Sequence, residues 1–244
     1  MSSGNAPRTA MVLAAGLGTR LRPITNTMPK PLVPVAGKTL LDRSLDALAA
    51  AGVETAVVNV HHFADQIRRH VASRTAPRIV ISDESAELLG SAGGIVKALP
   101  QLGDGAFYLL NADTFWIDRA GSNLERLALA WDAARMDILM MLADPARATG
   151  HSKGTDFVIG ADGKLARSNN APEGFIYAGA AILDPRIFVG AAVAPQSFDL
   201  YFGRAITAGR LYGMVMDGHW VTVGTPDAIP LAERAIAAAT RQGS

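Results

Sequence analysis

The run from Met11 to Pro31, MVLAAGLGTRLRPITNTMPKP, constrains this chain more than any other segment. Its apolar lead, Ala10 to Ala15, empties straight into Gly16-Leu17-Gly18-Thr19-Arg20. An uninterrupted apolar strand is buried on both faces, so it belongs inside a sheet with helices above and below. Glycines after such a strand accept φ > 0 at no steric cost and let backbone N–H groups approach phosphate oxygens. Two cations then follow beside prolines: Arg22 precedes Pro23, and Lys30 stands between Pro29 and Pro31. Proline stiffens the loop and holds a charge at a set place. Arg20 and Lys30 can thus balance charge that builds up as a phosphoryl bond breaks.

Two other glycine motifs do not fit. A P-loop needs Gly, four residues and Gly-Lys-Ser/Thr, and the dinucleotide fingerprint needs a glycine where Leu21 stands. A plain strand-to-helix turn would not need the added Thr19-Arg20-Leu21-Arg22-Pro23 and Pro29-Lys30-Pro31.

The chain's 244 residues, 49% apolar and 18% charged, suffice for a full core. We expect one domain over 1–244, in two halves at about 10–144 and about 145–244. Net charge is +1 with no basic run, which argues against nucleic-acid binding across a broad face. Without cysteine there is no disulfide framework and no thiolate zinc site. No apolar stretch approaches the ~18 residues of a membrane span. The opening MSSGNAPRT has no apolar core, so residues 1–9 read as a loose tail and the expected compartment is the cytoplasm.

Strands are expected at 10–15, 56–60, 78–81, 107–110 and 138–142. Helices are expected at 41–49, ended by Gly52, at 64–72, at 91–99 and around Leu124, Leu127, Ala128 and Trp131. This alternation predicts an α/β fold with a mostly parallel sheet covered on both sides. Beyond Asp144 the texture turns to strands at 156–159, 165–168 and 175–183, with Ala161-Asp162-Gly163 as a hairpin turn. A helix at 198–208, strands at 211–216 and 220–223 and a helix at 226–240 close the chain. The 16–38 loop is long, and such loops are usually functional.

In a doubly wound sheet, ligands bind beyond the carboxyl ends of the strands. Gly16 to Arg20 and Asp113 both lie at such ends. Asp113 suits Mg²⁺, which takes one or two carboxylates plus phosphates, or it caps a turn. Small residues at Gly90, Gly93 and Gly94 suit a helix N-terminus, or the close approach of a flat ligand to backbone. The pair His61-His62 reads as packing or capping. Trp116, Trp131 and Trp220 read first as core or rim. Tyr177 to Gly179 could floor a ligand site, with Gly179 allowing close approach, or pack under a neighbour.

GLGTRLRPITNTMPKPLVPVAGKTLLD resembles the sugar-1-phosphate nucleotidylyltransferases, whose signature is GxGTRLRPxT followed by PKP. The likeness continues through Asn111-Ala112-Asp113, Tyr177-Ala178-Gly179, Gly218-His219-Trp220 and Gly224-Thr225. It implies a Rossmann-like mixed, mostly parallel sheet of the nucleotide-diphospho-sugar transferase type. It implies transfer of a nucleotidyl group from a nucleoside triphosphate to a sugar-1-phosphate, with release of pyrophosphate. Arg20 and Lys30 are then catalytic and Asp113 the Mg²⁺ ligand. Ala14, Ala15, Gly16, Gly18, Thr19, Gly90 and Gly94 bind the nucleotide, and Asn169, Tyr177, Gly179 and Trp220 the sugar.

Length, VPVAGKTLLD, the segment from Gly93 to Pro100 and GHWV…VGT point to the branch that uses UTP and N-acetylmuramate 1-phosphate in cell-wall recycling. Guanylyl transfer to mannose 1-phosphate and a non-catalytic nucleotide-sugar sensor stay open, as does a monomer or a weak homodimer. Two departures from the family stand out. Thr222 occupies the place of a second aspartate, for which Asp217 or Asp227 could substitute. Asn169-Asn170-Ala171-Pro172 replaces a charged Glu-Lys-Pro.

Overall fold

The computed structural model describes residues 6–242. Its strands are β1 (Thr9–Leu13), β2 (Pro34–Val35), β3 (Lys38–Thr39), β4 (Thr55–Val60), β5 (Arg78–Asp83), β6 (Phe107–Asn111), β7 (Thr114–Asp118), β8 (Ile138–Ala143), β9 (Ala148–Thr149), β10 (Phe157–Ile159), β11 (Leu165–Arg167), β12 (Ile176–Leu183), β13 (Leu211–Val215) and β14 (Gly218–Thr222). Its α-helices are α1 (Leu40–Ala50), α2 (Ala64–Val71), α3 (Gly90–Leu102), α4 (Asn123–Ala130), α5 (Asp199–Thr207) and α6 (Ala228–Gln242). None of the described helices is long and apolar enough to cross a membrane.

Seven strands form one sheet in the order β13-β8-β12-β6-β1-β4-β5. Every neighbouring pair is parallel except the two that β12 makes, with β6 and with β8. The sheet is therefore mixed and mostly parallel, as its buried, largely apolar central strands predict. Strand alternation sends Ala10 and Val12 to one face and Met11 to the other. The first face packs on Leu41, Leu45 and Leu48 of α1, Ile67 of α2 and Leu124 and Leu127 of α4. The second packs on Ala92, Ile95 and Ala98 of α3 and on Tyr201 and Phe202 of α5.

Local chemistry sets the helix ends. Thr39 caps α1 by accepting the Asp42 N–H at 3.0 Å, and Gly52, at φ 78°, turns the chain out. Ser122 caps α4 by accepting the Glu125 N–H at 3.3 Å.

Three features depart from the sequence reading. The residues right after Asp113 form β7, and Trp220 to Thr222 join it instead of the main sheet, giving a second sheet of order β7-β14-β9. The 16–38 loop is wound into three short 3-10 turns and the β2–β3 hairpin. The expected loose tail is ordered from residue 6: Pro7 is buried, the Arg8 carbonyl accepts the N–H groups of Glu54 and Thr55, and Thr9 opens β1. The rest of that tail, residues 1–5, lies outside the described residues.

Candidate active site

A cleft of about 270 Å³ opens where β1, β4 and β6 end, the place where parallel sheets bind ligands. Leu13 to Gly16 form one wall, and Leu88, Gly90 and Ser91, at the start of α3, another. Asn59 and Asn111 to Asp113 complete the floor, and Lys30 and Pro31 stand at the rim. Ala14, Ala15, Gly16, Gly90, Lys30 and Asp113 thus share one cavity.

Lys30 reaches Asp113 directly. Its Nζ donates to Asp113 Oδ2 at 2.6 Å, across 83 residues of sequence. The lysine side chain is 12% exposed and the aspartate 35%. An ammonium carries three donors, and the aspartate takes one. The other carboxylate oxygen, Oδ1, has no partner among the described residues.

Arg20 arrives from the same loop. Its side chain is exposed and makes no hydrogen bond or ion pair among the described residues. It lies against Gly224, where an added Cβ would sit 3.4 Å from Arg20 Nη1. The neighbouring Val223 N–H donates to the Asp113 carbonyl at 3.1 Å. Arg20, Lys30 and Asp113 therefore lie on one side of the molecule, brought together by the loop after β1 and the β6–β7 turn.

Gly18, Thr19 and Arg20 are not among the residues that line the cleft. Gly18, at φ 63°, is a packing glycine: an added Cβ would lie 3.0 Å from Lys30 Cβ and 3.0 Å from Thr25 Cγ2. It lets the loop fold back on the lysine. Gly94 is also displaced from its expected place, since it faces the buried Asn59–Glu84 pair. Nor is every backbone donor of the wall free, because the Ala14 N–H is taken by Asn59 Oδ1 at 2.7 Å.

The expected sugar residues fare differently. Trp220 is 3% exposed, and its indole N–H donates to the Ala178 carbonyl at 2.8 Å. It is core, because the inner face of the β7–β14 ribbon turns toward the sheet. Trp220→Phe should therefore lower stability by about 1 kcal/mol and leave the KM for a sugar phosphate unchanged, which thermal melts and steady-state kinetics would check.

Tyr177 points to the α5 face, its ring 5.6 Å from that of Phe202. Its hydroxyl is buried without a partner, and burial pushes its pKa well above the usual phenol value. It is not among the residues that line the cleft. Gly179 marks the irregularity in β12 between Tyr177 and Ala181. At φ 78°, a side chain there would collide with the Thr114 hydroxyl and lie 3.2 Å from Asn111 Nδ2. It acts one layer behind the cleft. Asn169 is exposed, at φ 48°, in the turn after β11, and it does not line the cleft.

His61 Nδ1 pairs with the Glu84 carbonyl at 2.7 Å, and His62 packs on Phe63. Asp217 is ion-paired with Arg119 and Arg147, at the end of β14 remote from Thr222, so it cannot replace a ligand beside Asp113. Asp227 is exposed just before α6. Asn59 and Glu84 were not anticipated. Their signal is a polar residue inside the buried apolar strand TAVVNV, which must have a partner.

Residues 10–242 match the MobA-like NTP transferase domain. The chain is 46% identical over 240 residues to the N-acetylmuramate alpha-1-phosphate uridylyltransferase of Caulobacter vibrioides, covering 96% of this chain and 99% of that protein. The protein of the same name from Neisseria meningitidis serogroup B is 33% identical, over 88% of this chain and 93% of its own. Among solved structures, HddC from Yersinia pseudotuberculosis superposes with a TM-score of 0.74 at 23% identity, covering 93% of this chain and 99% of that one. UDP-glucose pyrophosphorylase in complex with UDP-glucose superposes with a TM-score of 0.73 at 17% identity, covering 96% and 99%. Both agree on the fold.

Proposed function

The chain belongs to the MobA-like NTP transferase family, and on that premise we propose that it transfers a uridylyl group from UTP to N-acetylmuramate 1-phosphate. The observation that carries this reading is the 46% identity with the Caulobacter vibrioides enzyme across 99% of that protein's length. The cleft supplies matching chemistry.

An oxygen of the sugar phosphate attacks the α-phosphorus, the bond from that phosphorus to the bridging oxygen breaks, and pyrophosphate leaves. The nucleophile is already an anion, so the protein needs no general base. It must position the reactants and neutralise charge. Lys30, with two donors to spare, bridges the α-phosphate and the incoming phosphate. Arg20 holds the departing β- and γ-phosphates. The open space beside Gly16, where an added Cβ would meet nothing within 4 Å, leaves room for the triphosphate along the backbone.

Asp113 fits Mg²⁺: one carboxylate oxygen is free, and magnesium commonly takes one or two carboxylates together with substrate phosphates. When bound, the ion would draw charge from the α-phosphate and help orient the substrates. No cluster of three or more His, Cys, Asp or Glu suited to a metal exists among the described residues, so phosphate oxygens would complete the shell. Thr222, opposite Thr114 at the end of β14, offers only a hydroxyl. Thr222→Asp should lower the magnesium concentration needed for half-maximal UTP binding and leave the rate at saturating magnesium near that of the wild type.

A matrix of four nucleoside triphosphates against several sugar-1-phosphates, read by pyrophosphate release, tests the reading. UTP with N-acetylmuramate 1-phosphate should be the best pair. A guanylyltransferase would prefer GTP with mannose 1-phosphate. A sensor, the alternative that Thr222 keeps open, would bind without releasing pyrophosphate.

A further inference from the structure

A buried polar chain ties the walls of the cleft together. Asn59, 2% exposed, lies near the end of β4, and Glu84, 1% exposed, directly follows β5. The Ala14 N–H donates to Asn59 Oδ1 at 2.7 Å. Asn59 Nδ2 donates to Glu84 Oε1 at 2.7 Å, and the Leu89 N–H donates to Glu84 Oε2 at 3.0 Å. One carboxylate thus links the segment after β1, the end of β4 and the turn into α3. A buried carboxylate is tolerated only when its oxygens are bonded, and here both are. Gly94 makes the room: an added Cβ would lie 2.5 Å from Glu84 Oε1 and 2.8 Å from Asn59 Nδ2.

We propose that Glu84 is a positioning residue for the nucleotide. Acting through Asn59 and Leu89, it sets the gap between the Ala14–Ala15 backbone and the Gly90–Ser91 turn, the two walls between which a base would lie. This rests on the reading of the cleft as the nucleotide site. The residue must be acceptor-only, because it faces two donors. A glutamine would turn its own NH₂ toward one of them.

The arrangement specifies its own rescue. In the double variant Glu84→Gln with Asn59→Asp, the new aspartate can accept from the Ala14 N–H and from the new glutamine's NH₂. The glutamine oxygen can then accept from the Leu89 N–H. Every hydrogen bond returns with its polarity reversed in the middle.

The test is UTP affinity with Mg²⁺ by calorimetry, alongside thermal melts and the KM for the sugar phosphate. Glu84→Gln should weaken UTP about tenfold with the sugar-phosphate KM unchanged, and the double variant should return UTP affinity to near wild type. Gly94→Ala, which crowds the pair without altering its hydrogen-bonding groups, should also weaken UTP. Wild-type affinity in Glu84→Gln would overturn the proposal. So would a double variant that regains thermal stability but not affinity, since Asn59 itself would then meet the nucleotide. A wild-type protein that binds no nucleoside triphosphate would overturn the reading of the cleft, and this proposal with it.

Discussion

Replacing Asp113 by asparagine is expected to slow pyrophosphate release by on the order of 10³, because a metal clamp on phosphate contributes several kcal/mol to the transition state. Asparagine is the informative substitute. Its amide oxygen can still accept from Lys30 Nζ, now at 2.6 Å from Asp113 Oδ2, so the loop keeps its anchor while the carboxylate charge is lost. Alanine would instead leave an ammonium only 12% exposed without its partner. That adds a stability loss of about 1–3 kcal/mol to the catalytic one. Single-turnover rates across a magnesium titration, with a denaturant melt as control, separate the two. Asparagine should melt near the wild type and respond poorly to magnesium. A rate within threefold of the wild type would remove Asp113 from the chemistry.

Lys30→Ala should cost on the order of 10²–10³ in the same rate, the usual loss for one preorganised donor aimed at developing charge. The substitution leaves Asp113 without the ion pair but still in place, since the Val223 N–H holds its backbone carbonyl at 3.1 Å. UTP binding should weaken far less than the rate, because Arg20 and the cleft backbone remain. Lys30→Arg should recover only part of the loss. A guanidinium keeps the charge but is planar and longer, and the lysine stem lies tight against Gly18. Equal losses in UTP affinity and rate would make Lys30 a ground-state binding group instead of a catalytic one.

Much of this architecture is legible in the sequence because the sheet is buried on both faces. Strands such as TAVVNV and ILMMLA carry no polar residue apart from Thr55 and Asn59, and the helices between them keep a clear 3.6-residue period. The convergence of Arg20, Lys30 and Asp113 is legible for a similar reason, since strand ends in a parallel sheet share one rim.

What escapes the sequence is long-range pairing. β7 starts one residue after Asp113, so Thr114 to Asp118 pass for loop, and their partner β14 lies about a hundred residues later. The direction of the Tyr177 ring escapes for the same reason, whereas Trp220 is core, as its residue type first suggested. Which way the tyrosine ring points depends on the strand's register and on the irregularity at Gly179, neither of which the local pattern records. Gly18 and Gly94 show a subtler limit: a glycine near a ligand site can serve the residues behind the site instead of the ligand.

In the proposed reaction, two cations and one carboxylate meet around a single nucleotidyl group. A crystal structure of the protein with magnesium and a UTP analogue that cannot be cleaved between its α- and β-phosphates tests it most directly. The triphosphate is expected in the cleft after β1, with Lys30 Nζ on the α-phosphate, the Arg20 guanidinium on the β- and γ-phosphates and Asp113 on the ion. A triphosphate bound elsewhere, or one in the cleft with Lys30 and Asp113 still closed on each other and touching neither phosphate nor metal, would contradict it.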